Sequence, residues 1–334
     1  MVQAITINAQ SSLVGKRILG VDLFRLVAFL CVVALHVNRQ NLEPAAKLAF
    51  EIIPRLGVPY FFLVSGYFLQ IGEHGVVAVV ARFLRRLVPV YVFWVLFYIF
   101  LHRGLFGETG IHSLPNLLID GIPGAHLWFL PSLGVSVVLF TLLSYAIGDY
   151  PVLGICIILY LCGIYFDEFR NIYDLPFHHW NFRDGPFFGC VFIAIGYYSR
   201  KYDIRLSVEQ SVLMVLSGLA MQFLERALLV HFGILSQGDE VDYYLGTVLY
   251  GAGVLFLALN VSAGGEGAVA ALAGIGRYTL GFYCIHLAYV WLLEMILAPD
   301  TLVNVVVTVA FASSASIITI LLMSRVRQLR WLIQ

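Results

Sequence analysis

Long, nearly uncharged apolar blocks run along this chain, separated by short clusters of charge, Gly and Pro. A helix that crosses a bilayer needs about 20 mostly apolar residues. On that measure the pattern predicts ten helices, at roughly 19–38, 56–72, 87–102, 126–147, 151–166, 184–199, 207–232, 243–261, 274–297 and 302–323. Nine or eleven would also fit the pattern. The fifth and sixth are short, and Gly148-Asp149-Tyr150-Pro151 predicts a tight hairpin between the fourth and the fifth. Lys16 and Arg17 precede an apolar run longer than a signal-peptide core with no small-residue cleavage pattern after it, which predicts an uncleaved first span. The expected fold is an all-α polytopic membrane protein: one domain over residues 1–334, with 1–18 as an N-terminal tail and 324–334 as a basic C-terminal tail.

The distribution of charge orients the bundle. Cytoplasmic loops carry an excess of Lys and Arg. Lys16/Arg17, Arg82/Arg85/Arg86, Arg200/Lys201/Arg205 and Arg325/Arg327/Arg330 fall on one side of the predicted helices; Arg39, Lys47, Arg55, Arg103, Arg170 and Arg183 fall on the other. The first side is therefore read as cytoplasmic, with both termini inside. The outer loops gather acid and histidine: Asp167, Glu168, Asp174, His178, His179 and Asp184, then Asp239, Glu240 and Asp242.

Composition supports the membrane class, with 60% hydrophobic and 12% charged residues, where soluble domains carry about 25% charge. Twenty basic against twenty acidic residues give no general attraction to nucleic acid, so that partner is not expected. Cys31, Cys156, Cys162, Cys190 and Cys284 lie in apolar segments without paired short spacing, which argues against a disulfide framework and a zinc site. No metal is expected, and no internal repeat or soluble domain is visible.

Ionisable side chains inside a bilayer helix are costly and mark functional candidates. Arg25 and His36 share the first helix, where eleven steps of about 100° bring them to one face about 16 Å apart. Arg25 has a plainer reading, a snorkelling arginine paired with Asp22, and His36 that of an interfacial histidine. In the second helix, Ser65-Gly66-Tyr67 points to close packing more than to a catalytic serine. Arg82, Arg85 and Arg86 read either as a topology signal near anionic headgroups or as a phosphate clamp. His126 and Trp128 read as belt anchors or cavity residues. Tyr283 and His286, at i and i+3, suit a lined cavity or a structural pair. Glu225, Arg226 and Glu294 are intramembrane candidates without an assigned role.

In order along the chain, Arg25 with ten residues to His36, Gly57-Val58-Pro59 to Ser65-Gly66-Tyr67, Arg82/Arg85/Arg86 before Pro89, His126-Leu127-Trp128-Phe129-Leu130, and Leu280-Gly281-Phe282-Tyr283 to His286 resemble the acyltransferase type 3 family of integral membrane acyltransferases. The resemblance implies a ten-helix bundle, in the bacterial inner membrane, that moves an acyl group from a cytoplasmic acyl-CoA, usually acetyl-CoA, to a glycan or glycolipid hydroxyl outside. It implies catalytic His36 and Arg25, with Arg25, Arg82, Arg85 and Arg86 on the donor phosphates. Ser65, Tyr67, His126, Trp128, Tyr283 and His286 would be cavity residues. His36 would act as general base or acyl carrier. No permanently bound cofactor is implied. Some relatives carry an extracytoplasmic hydrolase-like domain that is absent here, so direct transfer is expected, and Thr279 stands where the family prefers Ser. The competing class is a transporter or flippase, which would favour inverted repeats and broken helices.

Overall fold

A computed structural model describes residues 18–39, 41–71, 75–108, 113, 116–168, 181–236, 241–261, 267–298 and 301–333. Lys16, Arg17, Arg170, Asp174, His178, His179, Asp239, Glu240 and the side chain of Glu168 lie outside the described residues, as does most of the predicted N-terminal tail. Helices dominate, and among the described residues there is no strand. They are α1 Leu19–His36, α2 Pro44–Ile52, α3 Gly57–Phe68, α4 Val76–Phe106, α5 Phe129–Ile147, α6 Asp149–Glu168, α7 Pro186–Lys201, α8 Val208–His231, α9 Leu245–Asn260, α10 Ala268–Gly276, α11 Thr279–Glu294 and α12 Leu302–Arg325. Among the described residues, seven helical stretches are long and apolar enough to cross a membrane, and α9 and α11 are shorter apolar helices. The protein is an all-α polytopic membrane protein.

Four departures from the sequence expectation have local causes. The second predicted span is longer, because α2 runs through a 3₁₀ turn, Ile53–Leu56, directly into α3; Pro44, at the start of α2, lacks only an N–H that the first turn leaves unbonded. The third span begins at Val76 rather than 87, so Arg82, Arg85 and Arg86 lie on α4 instead of preceding it. The predicted helix 274–297 is two, α10 and α11, parted at Arg277-Tyr278. The predicted C-terminal tail folds back as a 3₁₀ turn, Arg327–Leu332, and buries Leu332 and Ile333 in the core.

Small residues set the closest approaches. A Cβ on Gly66 of α3 would collide with the Ile193 carbonyl of α7, and one on Gly196 of α7 with the Leu63 carbonyl of α3. Only glycine lets these backbones meet. Ser65, beside this contact, donates its hydroxyl to the Phe61 carbonyl one turn back at 2.7 Å. The core is strongly aromatic, with Tyr60, Phe62, Trp94, Tyr98, Phe140, Phe192, Phe282 and Tyr283 almost fully buried.

Charged pairs tie the helix ends. On the face opposite the arginine-rich one, Asp242 bridges Arg55 at 2.8 Å and Arg183 at 2.7 Å. Arg226 of α8 lies 3.7 Å from Glu51 of α2, which accepts from the Tyr244 hydroxyl at 3.2 Å. Glu225 accepts from the Leu245 and Gly246 amides and caps α9, and Glu294 accepts from the Asn38 amide at 2.7 Å, joining the ends of α11 and α1. The three intramembrane candidates without a role thus hold the bundle together.

Candidate active site

Three imidazoles meet where α1 ends, α5 begins and α11 passes mid-length. The ring centres of His36 and His286 lie 5.0 Å apart, those of His126 and His286 4.9 Å, and those of His36 and His126 5.9 Å. His126 and His286 are fully buried and His36 half-buried. Phe29 and Tyr98 pack on this cluster, with the Tyr98 ring 4.9 Å from that of His126.

A hydrogen bond to a backbone carbonyl orients each ring. His36 Nδ1 bonds the Val32 carbonyl at 2.8 Å, His126 Nε2 the Cys284 carbonyl at 3.1 Å, and His286 Nδ1 the Tyr283 carbonyl at 2.6 Å. A carbonyl only accepts, so each of these nitrogens carries a proton, and in the neutral rings of His126 and His286 the other nitrogen holds a lone pair. Nδ1 of His126 and Nε2 of His286 are buried with no hydrogen-bond partner among the described residues. Tyr283 locks the arrangement from the side, because its hydroxyl donates to the His126 carbonyl. Tyr98 donates to the Cys284 carbonyl at 2.9 Å and accepts from the Ala288 amide at 3.3 Å, so one tyrosine of α4 pins α11 beside His286. The result is an aromatic-walled site whose imidazoles are held by backbone, an arrangement suited to taking a proton from a hydroxyl. Among the described residues, no group of three His, Cys, Asp or Glu is arranged to hold a metal ion.

A family model described as an acyltransferase domain matches residues 18–325. The chain belongs to the acyltransferase type 3 family. It is a multi-pass membrane protein of that family. It is also 29% identical over 255 residues to a serine/alanine racemase of Enterococcus gallinarum, covering 69% of this chain and 36% of that protein. An amino-acid racemase of Enterococcus faecalis is 26% identical over 233 residues, 64% of this chain and 32% of the racemase. The chain thus spans about a third of the length of the curated relatives it matches. No solved structure matches.

The fold brings together four residues that the sequence singled out separately: His36, His126, Tyr283 and His286. Trp128 stands apart, under the Arg183 guanidinium at 5.0 Å, and Ser65 is spent on the Phe61 carbonyl. The predicted donor arginines divide. Arg25 bonds Asp22 at 2.6 Å and lies over the Phe68 ring at 5.6 Å, where Arg200 also sits and donates to the Tyr67 carbonyl. Arg85 and Arg86 instead line an open cleft of about 440 Å³ with Pro89, Arg330 and Trp331. Arg82 is exposed on the same end of α4 and does not line that cleft. Sequence reasoning missed Tyr98 and Arg200. Tyr98 carried a usable signal, since it lies twelve residues beyond Arg86 on one helix, but nothing in the string marks which tyrosine meets an imidazole.

Proposed function

We propose that this acyltransferase takes an acyl group, acetyl in the first instance, from cytoplasmic acyl-CoA and places it on a hydroxyl of a glycan or glycolipid across a bacterial cell membrane. The observation that carries the reading is the cluster of three imidazoles, each held through a backbone carbonyl, inside a bundle of this family. The distance from donor entry to chemistry also fits. Arg86 and Tyr98 both lie on α4, twelve residues apart, a rise of roughly 18 Å, within the reach of an extended pantetheine arm. Arg85 and Arg86 would hold donor phosphates at one end, and the thioester would arrive beside His36 at the other.

In the direct route the acceptor hydroxyl gives its proton to His36 Nε2, its oxygen bonds the thioester carbonyl carbon, the carbon–sulfur bond breaks, and the leaving thiolate takes the proton. In the covalent route Nε2 attacks the thioester carbonyl carbon and the carbon–sulfur bond breaks to release the thiolate; the acceptor hydroxyl oxygen then takes the acyl group as the nitrogen–carbon bond breaks, and the hydroxyl proton goes to the thiolate.

The test follows label from acetyl-CoA, supplied on the cytoplasmic side of membrane vesicles, into glycan and glycolipid fractions, with wild type and His36→Ala at matched abundance. Label that depends on His36 is expected. Equal transfer by the variant overturns the assignment of His36, and label that accumulates on the wild-type protein without acceptor selects the covalent route. Transport of an unmodified solute, with no acyl group moved from any acyl-CoA, would favour the transporter reading.

A further inference from the structure

The cleft beside Arg85 and Arg86 is closed on one side by the C-terminal turn, and that turn is built into the fold. Leu332 and Ile333 are buried, and Ile333 packs beside Gly281 and Ile320. The Trp94 indole donates to the Leu332 carbonyl at 3.3 Å. Arg330 donates its Nε to the Ser324 carbonyl at 2.9 Å, which orients the guanidinium, and the Trp331 ring stands nearly perpendicular to Phe93 with centres 6.2 Å apart. A segment that only supplied positive charge to a membrane face would not need these anchors. They present three guanidinium groups and a half-exposed indole to one cleft of about 440 Å³.

We propose that Arg330 and Trp331 complete the nucleotide end of the donor site, Arg330 joining Arg85 and Arg86 on the phosphates and Trp331 stacking on the purine. This rests on the acyl-CoA reading above. Guanidinium groups fork onto phosphoryl oxygens, and an indole face stacks on a base without reading its sequence. The anchoring also reaches the chemistry: Gly281, against which Ile333 packs, lies five residues before His286 on α11. The same cationic chemistry would serve an anionic lipid headgroup, so the experiment separates the two phosphate sources.

The probe is adenosine 3′,5′-bisphosphate, which carries the nucleotide end and no thioester. Its binding to the purified full-length protein in phosphatidylcholine nanodiscs is measured by calorimetry for wild type, Arg330→Gln, Arg330→Lys and Trp331→Ala. In parallel, KM and kcat are measured with acetyl-CoA and with acetyl-pantetheine, which lacks the nucleotide. Arg330→Gln is expected to weaken the bisphosphate roughly 10- to 100-fold, the loss of one charge-assisted contact, with Arg330→Lys between it and wild type. Trp331→Ala is expected to cost roughly tenfold. KM for acetyl-CoA should rise with kcat held, and KM for acetyl-pantetheine should not move.

Equal binding by wild type, Arg330→Gln and Trp331→Ala overturns the proposal even where wild type transfers acetyl. So does a rise in KM for both donors alike. A bisphosphate that binds only to the protein in phosphatidylcholine and is displaced by added phosphatidylglycerol, with no change in KM on substitution, assigns the cleft to lipid and also overturns it. Binding that depends on Arg330 and Trp331 in a protein that transfers no acyl group keeps the nucleotide site and removes the transfer reading instead.

Discussion

Replacing Asp242 by Asn should destabilise the protein through the two arginines it joins. Arg55 and Arg183 reach the two oxygens of one carboxylate at 2.8 and 2.7 Å, and the Arg55 side chain is 10% exposed, against 28% for Arg183. Burial alone would raise the Asp242 carboxyl, but Arg183 and Arg55 together hold it below its usual value, which marks the charged form as the working one. Breaking a buried ion pair costs about 3–5 kcal/mol. The amide oxygen of Asn retains one neutral hydrogen bond, Arg183 keeps Asp184 at 3.5 Å, and Asp242 is itself 24% exposed, so the loss belongs near the low end, about 2–4 kcal/mol. That corresponds to a melting temperature lower by about 5 to 10 °C, read by scanning fluorimetry of the detergent-solubilised protein. Arg55→Gln together with Asp242→Asn should cost less than the sum of the two, because each single change strands the other's partner. Transfer should also fall at temperatures well below melting. Arg183 covers Trp128, and the Ser132 hydroxyl bonds the Arg183 and Gly185 carbonyls at 2.9 Å, so this group steadies the start of α5, beside His126. A variant that melts within about 2 °C of wild type, with additive double-mutant costs, would refute this reasoning.

Two further outcomes are expected. Burial, opposed by Arg183 and helped by Asp120, pushes the Asp184 carboxyl up to about 8; the folded protein then keeps a proton that the unfolded chain has lost, so its stabilising share is full below about pH 4, declines as pH rises towards 8 and is flat above. Asp184→Asn should flatten the stability profile between pH 5 and 8, and equal slopes in wild type and variant would remove Asp184 as its cause. Arg25→Ala should weaken acyl-CoA binding by up to tenfold, measured by equilibrium binding; unchanged affinity leaves Arg25 as the partner of Asp22 alone.

Apolar periodicity shows where helices run, because their length and composition are properties of consecutive residues. It shows less well where they stop. The long start of α4 escaped the pattern because Arg82, Arg85 and Arg86 look like a loop to a hydropathy count, although arginine is a good helix former and the side chains lie outside the apolar core. The break between α10 and α11 escaped it because Arg277 interrupts an otherwise apolar run by one residue only. The short basic C-terminus read as a tail because its anchors, Leu332 and Ile333, are two residues whose burial depends on a partner, Gly281, some fifty positions away. The histidines were each visible as candidates. Their convergence was not, since it depends on how α1, α5 and α11 pack, and that is set by contacts between residues far apart in the chain.

The same distinction explains why Arg25 and His36, matched in spacing on one helix, part company in space. An arginine near a membrane face can satisfy itself with Asp22 one turn away and with the Phe68 ring, at little cost. The histidine at the other end bonds a carbonyl of its own helix one turn back, and its ring also meets what the neighbouring helices bring. Here they bring two more imidazoles under the same constraint, with Tyr98 and Tyr283 fixing the backbone that holds them. A core that gathers three imidazoles forgoes the apolar packing that leucines there would give, and the proton uptake and return proposed for this site is a use that would account for the sacrifice.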